Sequence, residues 1–358
     1  MTLATNPGAA GRIDITGTAQ HDAWQRGVLP PLEEVRPGVW SVPVPIPDSP
    51  LRYTLCYMFI GDASVVVVDP GWDTVAGRKA VTAGLTTAGA ALRDVAGVVV
   101  THIHPDHHGL SGWLRQESGG WIAMHPVEAE TLPGRLWRDG APSDDQGWLR
   151  RHGVPDDDLD VLTVHQAQIA HILDMAEPDR FLGDGDRVPV ADRDVRAIWT
   201  PGHTPGHLCL HDAAAGILLT GDHLLPRISP NIGVHGERPG DPLTAYLGSL
   251  DRTTRFRADE ALPAHEYRFR NIDVRAADLV AHHQQRSAEI LGAIDQLAQP
   301  TAWAIAAQLT WSRGWAALHG RMRRMALGET LAHLHHLVTT GDVVQDAGPP
   351  ASWRRSRA

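Results

Sequence analysis

From Thr101 to Gly109 the chain reads Thr-His-Ile-His-Pro-Asp-His-His-Gly, four imidazoles and a carboxylate arriving directly after the apolar run Gly97-Val98-Val99-Val100. Neutral imidazole and carboxylate are the donors that borderline divalent metals such as zinc accept. With 21 histidines among 358 residues, an isolated pair would carry no weight. A pentad in this order at the end of a buried strand does. Three later stretches repeat the placement. His203 lies in the Gly/Pro turn Thr200-Pro201-Gly202-His203-Thr204-Pro205-Gly206-His207, Asp222 follows the run Gly216 to Gly221, and His265 follows Glu260-Ala261-Leu262-Pro263-Ala264. Each stands where a strand hands over to a loop, the position at which α/β architectures assemble their sites.

The elements that must position these residues are legible as apolar runs. Residues 38–44, 54–60 and 65–68 predict strands of a buried sheet, a helix follows over about 75–89, and Val98 to Val100 is the strand that delivers the histidine cluster. A short helix over 110–117 and a strand over 121–125 come next. The second half restarts the pattern, with strands expected over 188–190, 195–199, 208–210, 216–222 and 260–264. Strands alternating with helices in two successive halves predict two sheets packed face to face with helices outside.

Residues 1–36 are Gly/Ala/Pro-rich around Trp24 and read as an N-terminal arm. The stretch 127–180 sets Trp137, Trp148, Leu149, Leu162 and Ile172 among charges at helical spacing, which predicts a helical insertion able to cap a pocket. From residue 296 to 358 a further small domain is expected. There Leu327, Leu331, Leu334 and Val338 form an i, i+4, i+7, i+11 stripe, and Val343-Val344 with a turn at 348–350 complete a helix-then-hairpin order like that of a winged helix. Glu329 to Thr340 contains neither Arg nor Lys, so packing or dimerisation is the role expected of that helix, not DNA reading.

Composition sets bounds on function. Hydrophobic content of 42% with 21% charge is ordinary for a globular chain, and a formal charge of −10 argues against nucleic acid or an anionic membrane as the main partner. Cys56 and Cys209 fall in predicted strands, which leaves no disulfide framework and no cysteine-based zinc knuckle. The first eight residues show no basic region leading into an apolar stretch, and no window approaches the length of a membrane span. A cytoplasmic location is expected.

Taken together, these motifs resemble those of metallo-β-lactamase-fold hydrolases of the broad glyoxalase II-like branch, over about residues 37–295. The resemblance implies an αββα sandwich of two mixed sheets with a dinuclear metal site, usually zinc, with iron or manganese as alternatives. Position by position it implies that His102, His104 and His203 hold the first metal, that Asp106, His107 and His265 hold the second, and that Asp222 bridges them. One departure is Ala264-His265-Glu266, where many relatives have Gly on both sides of the histidine.

Two such metals can share a water, lower its pKa towards neutrality and polarise the carbonyl that the bridging hydroxide attacks. The reaction expected is hydrolysis of a small-molecule ester, thioester or lactone. Asp106 is the expected catalytic residue, orienting the nucleophile or carrying a proton to the leaving group. Neither cysteine lies in a triad arrangement. Around the donors, Asp69 is expected to fix the metal-binding loops and His207 to orient the His203 loop. Tyr53 is expected beside the pocket, and His223 there or in a purely structural role. His108 should face solvent, and His282-His283 should serve surface or packing. Trp72, Arg227, Asn231 and His235 are candidate cleft residues.

Two other functions remain open from the sequence. The same scaffold can carry a mononuclear iron that oxidises persulfides, or process RNA. The acidic charge and a single lysine, Lys79, weigh against the second.

Overall fold

The chain is described from a computed structural model covering residues 12–357, apart from 63, 139–143, 166–168, 170–171, 191, 235 and 237–239. His235 therefore lies outside the described residues. Within the lead-in expected as an arm, three elements form: strand β1 (Asp14–Ile15), a helix over Thr18–Arg26, and strand β2 (Glu33–Arg36). A buried glutamine pins them. Gln20 donates from Nε2 to Ser41 Oγ at 3.1 Å and accepts from the Arg268 N–H at 3.0 Å, so one amide ties the helix to both halves of the molecule.

The first sheet continues through β3 (Val39–Pro45), β4 (Tyr53–Ile60), β5 (Val65–Val68), β6 (Val95–Val99), β7 (Trp121–Met124) and β8 (Arg180–Phe181), and its seven strands run in the order β2 to β8. Ladders are antiparallel from β2 to β5 and parallel from β5 to β8. The second sheet adds β9 (Val195–Trp199), β10 (Leu208–Asp212), β11 (Ile217–Gly221), β12 (Glu260–Pro263) and β13 (Phe269–Arg270), in the order β1-β13-β12-β11-β10-β9. Only its β11–β12 ladder is parallel, so both sheets are mixed.

Alternation along the strands explains the layering. In β4, Tyr53, Leu55, Tyr57 and Phe59 face the second sheet and meet Ala197, Leu208, Leu210, Leu219 and Leu262, while Cys56 and Met58 face outward onto Val81 and Leu85 of the helix Val75–Thr87. Both faces are buried, which is why the strand reads as a continuous apolar run. The arrangement is the αββα sandwich. One expected strand does not form. Residues 188–190 make no ladder, because Pro189 has no N–H to donate, and Arg187 contributes a single bridge to Arg196.

The outer face of the second sheet carries the helices Pro242–Thr253 and Ile272–Gln296, and beyond them Ala302–Gln308 and Gly320–Thr339. Leu327, Leu331, Leu334 and Leu337 of the last helix share one continuous core with Cys209 and Leu218 of the sheet. Each such leucine contributes about 1.5–3 kcal/mol of burial. Val338, predicted to end the stripe, is exposed. The hairpin β14 (Val343–Asp346) and β15 (Ser352–Arg355) buries Trp353 against the same core.

The stretch 127–180 is helical at Pro126–Ala129, Pro133–Arg138, Asp145–Arg151 and Asp156–Leu162. Its Trp148, Leu149, Leu159 and Leu162 enter that core too, and Arg324 donates to both oxygens of Asp145 at 2.9 and 2.7 Å. Among the described residues no helix is long and apolar enough to cross a membrane.

Candidate metal centre

At one edge of the sandwich the strands end in the chemistry singled out above. β5 delivers Asp69, β6 the loop from Thr101 to His108, the β9–β10 turn His203, β11 Asp222 and β12 His265. Two groups of donors form. His102 Nε2 lies 2.9 Å from His104 Nδ1, which lies 3.1 Å from His203 Nε2. The edge of a zinc–imidazole tetrahedron is about 3.3 Å. On the other side His265 Nε2 stands 3.5 Å from Asp106 Oδ2 and 3.1 Å from Asp222 Oδ1, and His107 Nε2 stands 3.8 and 3.5 Å from the same two oxygens. Asp222 lies between the groups, with Oδ2 directed to His203 Nε2 at 3.6 Å.

Hydrogen bonds behind the rings decide which nitrogens face inward. His265 Nδ1 meets the Tyr53 carbonyl at 2.9 Å, His203 Nδ1 the Asn231 carbonyl at 2.9 Å, and His107 Nδ1 the Asp69 carboxylate at 2.8 Å. These partners only accept, so the outer nitrogen carries the proton and the inner Nε2 of a neutral ring presents a lone pair. The Thr101 hydroxyl donates to Asp69 at 2.7 Å and so accepts from His102 Nδ1 at 3.0 Å, which turns the His102 lone pair inward as well.

A divalent metal fits this donor set. One proton on His104 Nδ1 can serve only one of the two lone pairs aimed at it, whereas a cation serves all three nitrogens. His107 Nε2, His265 Nε2 and Asp222 Oδ1 are buried without a hydrogen-bond partner. Such orphaned groups are costly unless something absent from the chain satisfies them. The field agrees. Burial pushes His107 down, yet the Asp222, Asp106 and Asp69 carboxylates outweigh it and raise it to about 10, so this corner of the site calls for a cation: a proton on Nε2 without a metal, the metal itself on a neutral ring with one. Burial, reinforced by His107, His104 and His203, holds His102 well below the usual imidazole range. Burial opposes the charge of Asp222, but His265 and His107 hold its carboxyl well below the carboxylate range.

The sequence signature of the metallo-beta-lactamase superfamily matches residues 49–265, a span containing all seven of these donors. The chain belongs to the metallo-beta-lactamase superfamily. Members bind divalent metals, and the two clusters here are the groups that could hold them. Among solved structures, a metallo-beta-lactamase family protein of Thermus thermophilus is 32% identical with a TM-score of 0.75, covering 90% of this chain and 100% of that one. A beta-lactamase domain protein of Burkholderia ambifaria is 28% identical with a TM-score of 0.77, covering 96% and 98%. Curated relatives include the acyl-coenzyme A thioesterase MBLAC2 of Homo sapiens, 28% identical over 47% of this chain and 54% of that protein. Another is the lactamase-like protein vrtG of Penicillium aethiopicum, 28% identical over 40% and 43%. The chain spans about half the length of the curated relatives it matches.

Around this superfamily centre the structure places several residues differently from expectation. Tyr53 lines no cleft: it is fully buried, its phenol donates to the Glu266 carbonyl at 2.8 Å, and its own carbonyl holds His265. His108 is also fully buried. Its Nε2 reaches the Ala176 carbonyl and its Nδ1 Ser111 Oγ, both at 2.8 Å, tying the helical stretch to the histidine loop. His207 does more than orient the His203 loop. Its Nδ1 meets Thr200 Oγ1 at 2.8 Å, and its Nε2 accepts from the Asp222 N–H at 3.2 Å. Gly221 makes room for that ring: at φ +48°, a Cβ there would lie 2.6 Å from His207 Nε2.

His223 turns away from the metal donors to Thr253 Oγ1, 2.8 Å off on the helix Pro242–Thr253. Glu266 takes the left-handed conformation at φ +69° and is held by Arg227 at 2.8 Å, whose guanidinium lies 4.6 Å from the Trp24 ring. His283 is buried against His333, with 3.3 Å between ring nitrogens.

Glu128 was not anticipated. Fully buried, it accepts from the Ile103 N–H through one oxygen and from the Gly206 N–H through the other, each at 2.8 Å. One carboxylate thus staples the His102–His104 loop to the His203 turn. The available signal was an acidic residue three positions after His125, on the otherwise apolar short helix Pro126–Ala129.

Proposed function

We propose that the chain is a dinuclear-metal hydrolase acting on the carbonyl of a small-molecule ester, thioester or lactone, with the thioester class favoured. The observation that carries this reading is the position of Asp222, one oxygen towards each group of donors. Bound there, a pair of divalent ions would supply an activated water and Lewis-acid polarisation of the carbonyl. His102, His104 and His203 would hold one ion, Asp106, His107 and His265 the other, and Asp222 both. Nitrogen and oxygen donors without thiolate support zinc, with iron or manganese as alternatives.

The remaining chemistry belongs to the chain. Asp106 is less deeply buried than Asp222, with side chains 14% and 9% exposed, so its carboxylate is the one placed to orient the attacking water and relay a proton to the departing thiol or alcohol, through the oxygen not turned to His265 and His107. Thr54 Oγ1 donates to the Asp106 carbonyl at 2.7 Å and holds that turn in place. Asp69, Thr101 and Glu128 keep the donor loops fixed, so that little reorganisation accompanies reaction. The thioesterase among the relatives supports the thioester class. A seven-donor set divided by a carboxylate favours two metals over the single iron of a persulfide dioxygenase, and the net charge of −10 disfavours RNA. The same reading keeps residues 37–295 as the catalytic unit and the cytoplasm as its location.

The test is metal content measured alongside turnover of thioesters, lactones and aryl esters. Near two equivalents of metal, loss of turnover on chelation and recovery with zinc are expected. Full turnover by metal-free protein, or oxygen uptake on a persulfide with one iron bound, would overturn it.

A further inference from the structure

Two residues beside the second donor group take backbone conformations that their side chains do not favour. Among the described residues, Asp48, Asp69, Asp144, Asp192 and Asn271 have positive φ, as Asp and Asn tolerate; the other non-glycine cases are Arg52 and Glu266, each at φ +69°. Arg52 directly precedes Tyr53, whose carbonyl holds His265 Nδ1 at 2.9 Å, and Glu266 directly follows His265. Tyr53 also grips the far side of that turn, its phenol donating to the Glu266 carbonyl at 2.8 Å. The His265 ring and the residue that supports it are therefore both flanked by strained backbone. Such conformations persist only where the surrounding contacts over-determine them.

The side chains of both strained residues lead to Trp24, on the N-terminal helix Thr18–Arg26. Arg52 Nη1 donates to the Trp24 carbonyl at 2.7 Å. Glu266 reaches Trp24 through Arg227, whose Nε donates to Oε1 at 3.0 Å, whose Nη2 lies 2.8 Å from the same oxygen, and whose guanidinium stands 4.6 Å from the Trp24 ring centre. The Arg227 backbone is pinned on both sides, because Arg275 donates to the Leu225 carbonyl at 2.6 Å and to the Ile228 carbonyl at 2.9 Å. The two partners differ in burial: the Glu266 side chain is 3% exposed and that of Arg227 36%. A carboxylate so deeply buried is costly once its cation is removed. Its escape is to turn towards water, and that motion unwinds the left-handed residue next to His265.

We propose that Arg227 is a positioning residue for His265: seated on Trp24, it holds Glu266 in its left-handed turn and so keeps His265 Nε2 aimed into the second donor group. The proposal rests on the two-metal reading only for the site it assigns, and its test separates the two.

The full chain is titrated with Co(II), followed by its visible absorption, and the metal-free chain is followed by the nitrogen-15 resonances of the His265 ring, assigned with His265→Gln. Arg227→Met keeps the length of the side chain over Trp24 and loses the charge. In that variant the second Co(II) step is expected to weaken by about 10–100-fold, the range for a partner behind a ligand, with the first step unchanged and the His265 resonances displaced. Glu266→Gly removes the buried carboxylate and the left-handed cost together, so it is expected to bind Co(II) as the wild type does. The double variant Arg227→Met/Glu266→Gly is expected to recover the second step and to show the resonances of Glu266→Gly, a rescue that a general loss of fold would not give. His265 resonances unmoved in Arg227→Met, a second step unmoved in a chain that binds two Co(II), or a loss that persists in the double variant would each overturn the proposal. One equivalent of Co(II) in the wild type would sink the two-metal reading, while the His265 resonances of the metal-free variants still decide the role of Arg227.

Discussion

Asp69 Oδ2 lies 2.8 Å from His107 Nδ1, and the same carboxylate receives both the backbone N–H and the hydroxyl of Thr101. One buried acid therefore fixes a ring of the second donor group directly and a ring of the first through Thr101. Asp69→Asn keeps the shape but places an amide where at least one acceptor is needed. A loss of roughly 10–100-fold in metal affinity is expected, the usual cost of removing a partner behind a ligand. A chelator-competition titration resolving two binding steps would show it; unchanged affinity in both steps would refute the role.

The Glu128 staple acts on the scaffold before any metal binds. Glu128→Ala strands the N–H groups of Ile103 and Gly206, and each unsatisfied buried donor costs about 1–3 kcal/mol. Urea unfolding of the metal-free protein should register the loss, and metal retention should fall in the His102–His104–His203 group first. A side chain at position 206 should act alike, since a Cβ on Gly206 would lie 2.3 Å from the Glu128 nitrogen.

Asp222 and Asp106 should separate by stoichiometry. Asp222→Asn removes the charge that both groups share, so both metals are expected to bind more weakly and metal content to fall below that of Asp106→Asn, together with turnover. Asp106→Asn leaves three imidazoles intact on the other side, so about one metal should remain while kcat falls by more than the roughly 100-fold attributable to an outer partner. Equal metal content in the two variants would contradict the division of the site.

Stability should weaken in mild acid through imidazoles remote from the metal. Burial, with Arg286 adding to it, lowers His282 to about 4, and burial with His282 and Arg286 lowers His283 to about 3. Unfolded, both return to about 6.5. Between those values the unfolded chain binds more protons, so stability is full above the unfolded pKa and declines as pH falls below it. Urea midpoints measured at about pH 7.5 and about pH 5 should differ by an amount that shrinks in His283→Phe.

Legibility followed the range of the interactions involved. His102, His104, Asp106 and His107 stand within six residues after a valine run, and His203, Asp222 and His265 end later strands, so residue type and strand-end position were enough to nominate all seven. The sandwich followed from the same runs, because strands buried on both faces need two layers of cover. Glu128 stayed hidden because its partners are backbone N–H groups 25 and 78 residues away, which leave no trace in side-chain identity.

Tyr53 and His108 were misplaced for a related reason: an aromatic or imidazole in a loop reads the same whether it faces solvent or a carbonyl. The C-terminal helix looked separable because its leucine stripe is periodic, but periodicity does not name the surface that covers it. By itself the sequence nominated the candidate donors, their strand-end setting and the layered architecture, all of which are local in chemistry or pattern. Only the tertiary structure decided that Asp222 falls between two groups, that Asp69 and Glu128 hold the donor loops in place, and that residues beyond 296 pack into one core with the second sheet. Those outcomes depend on which distant backbone groups and faces meet, and folding alone brings them together.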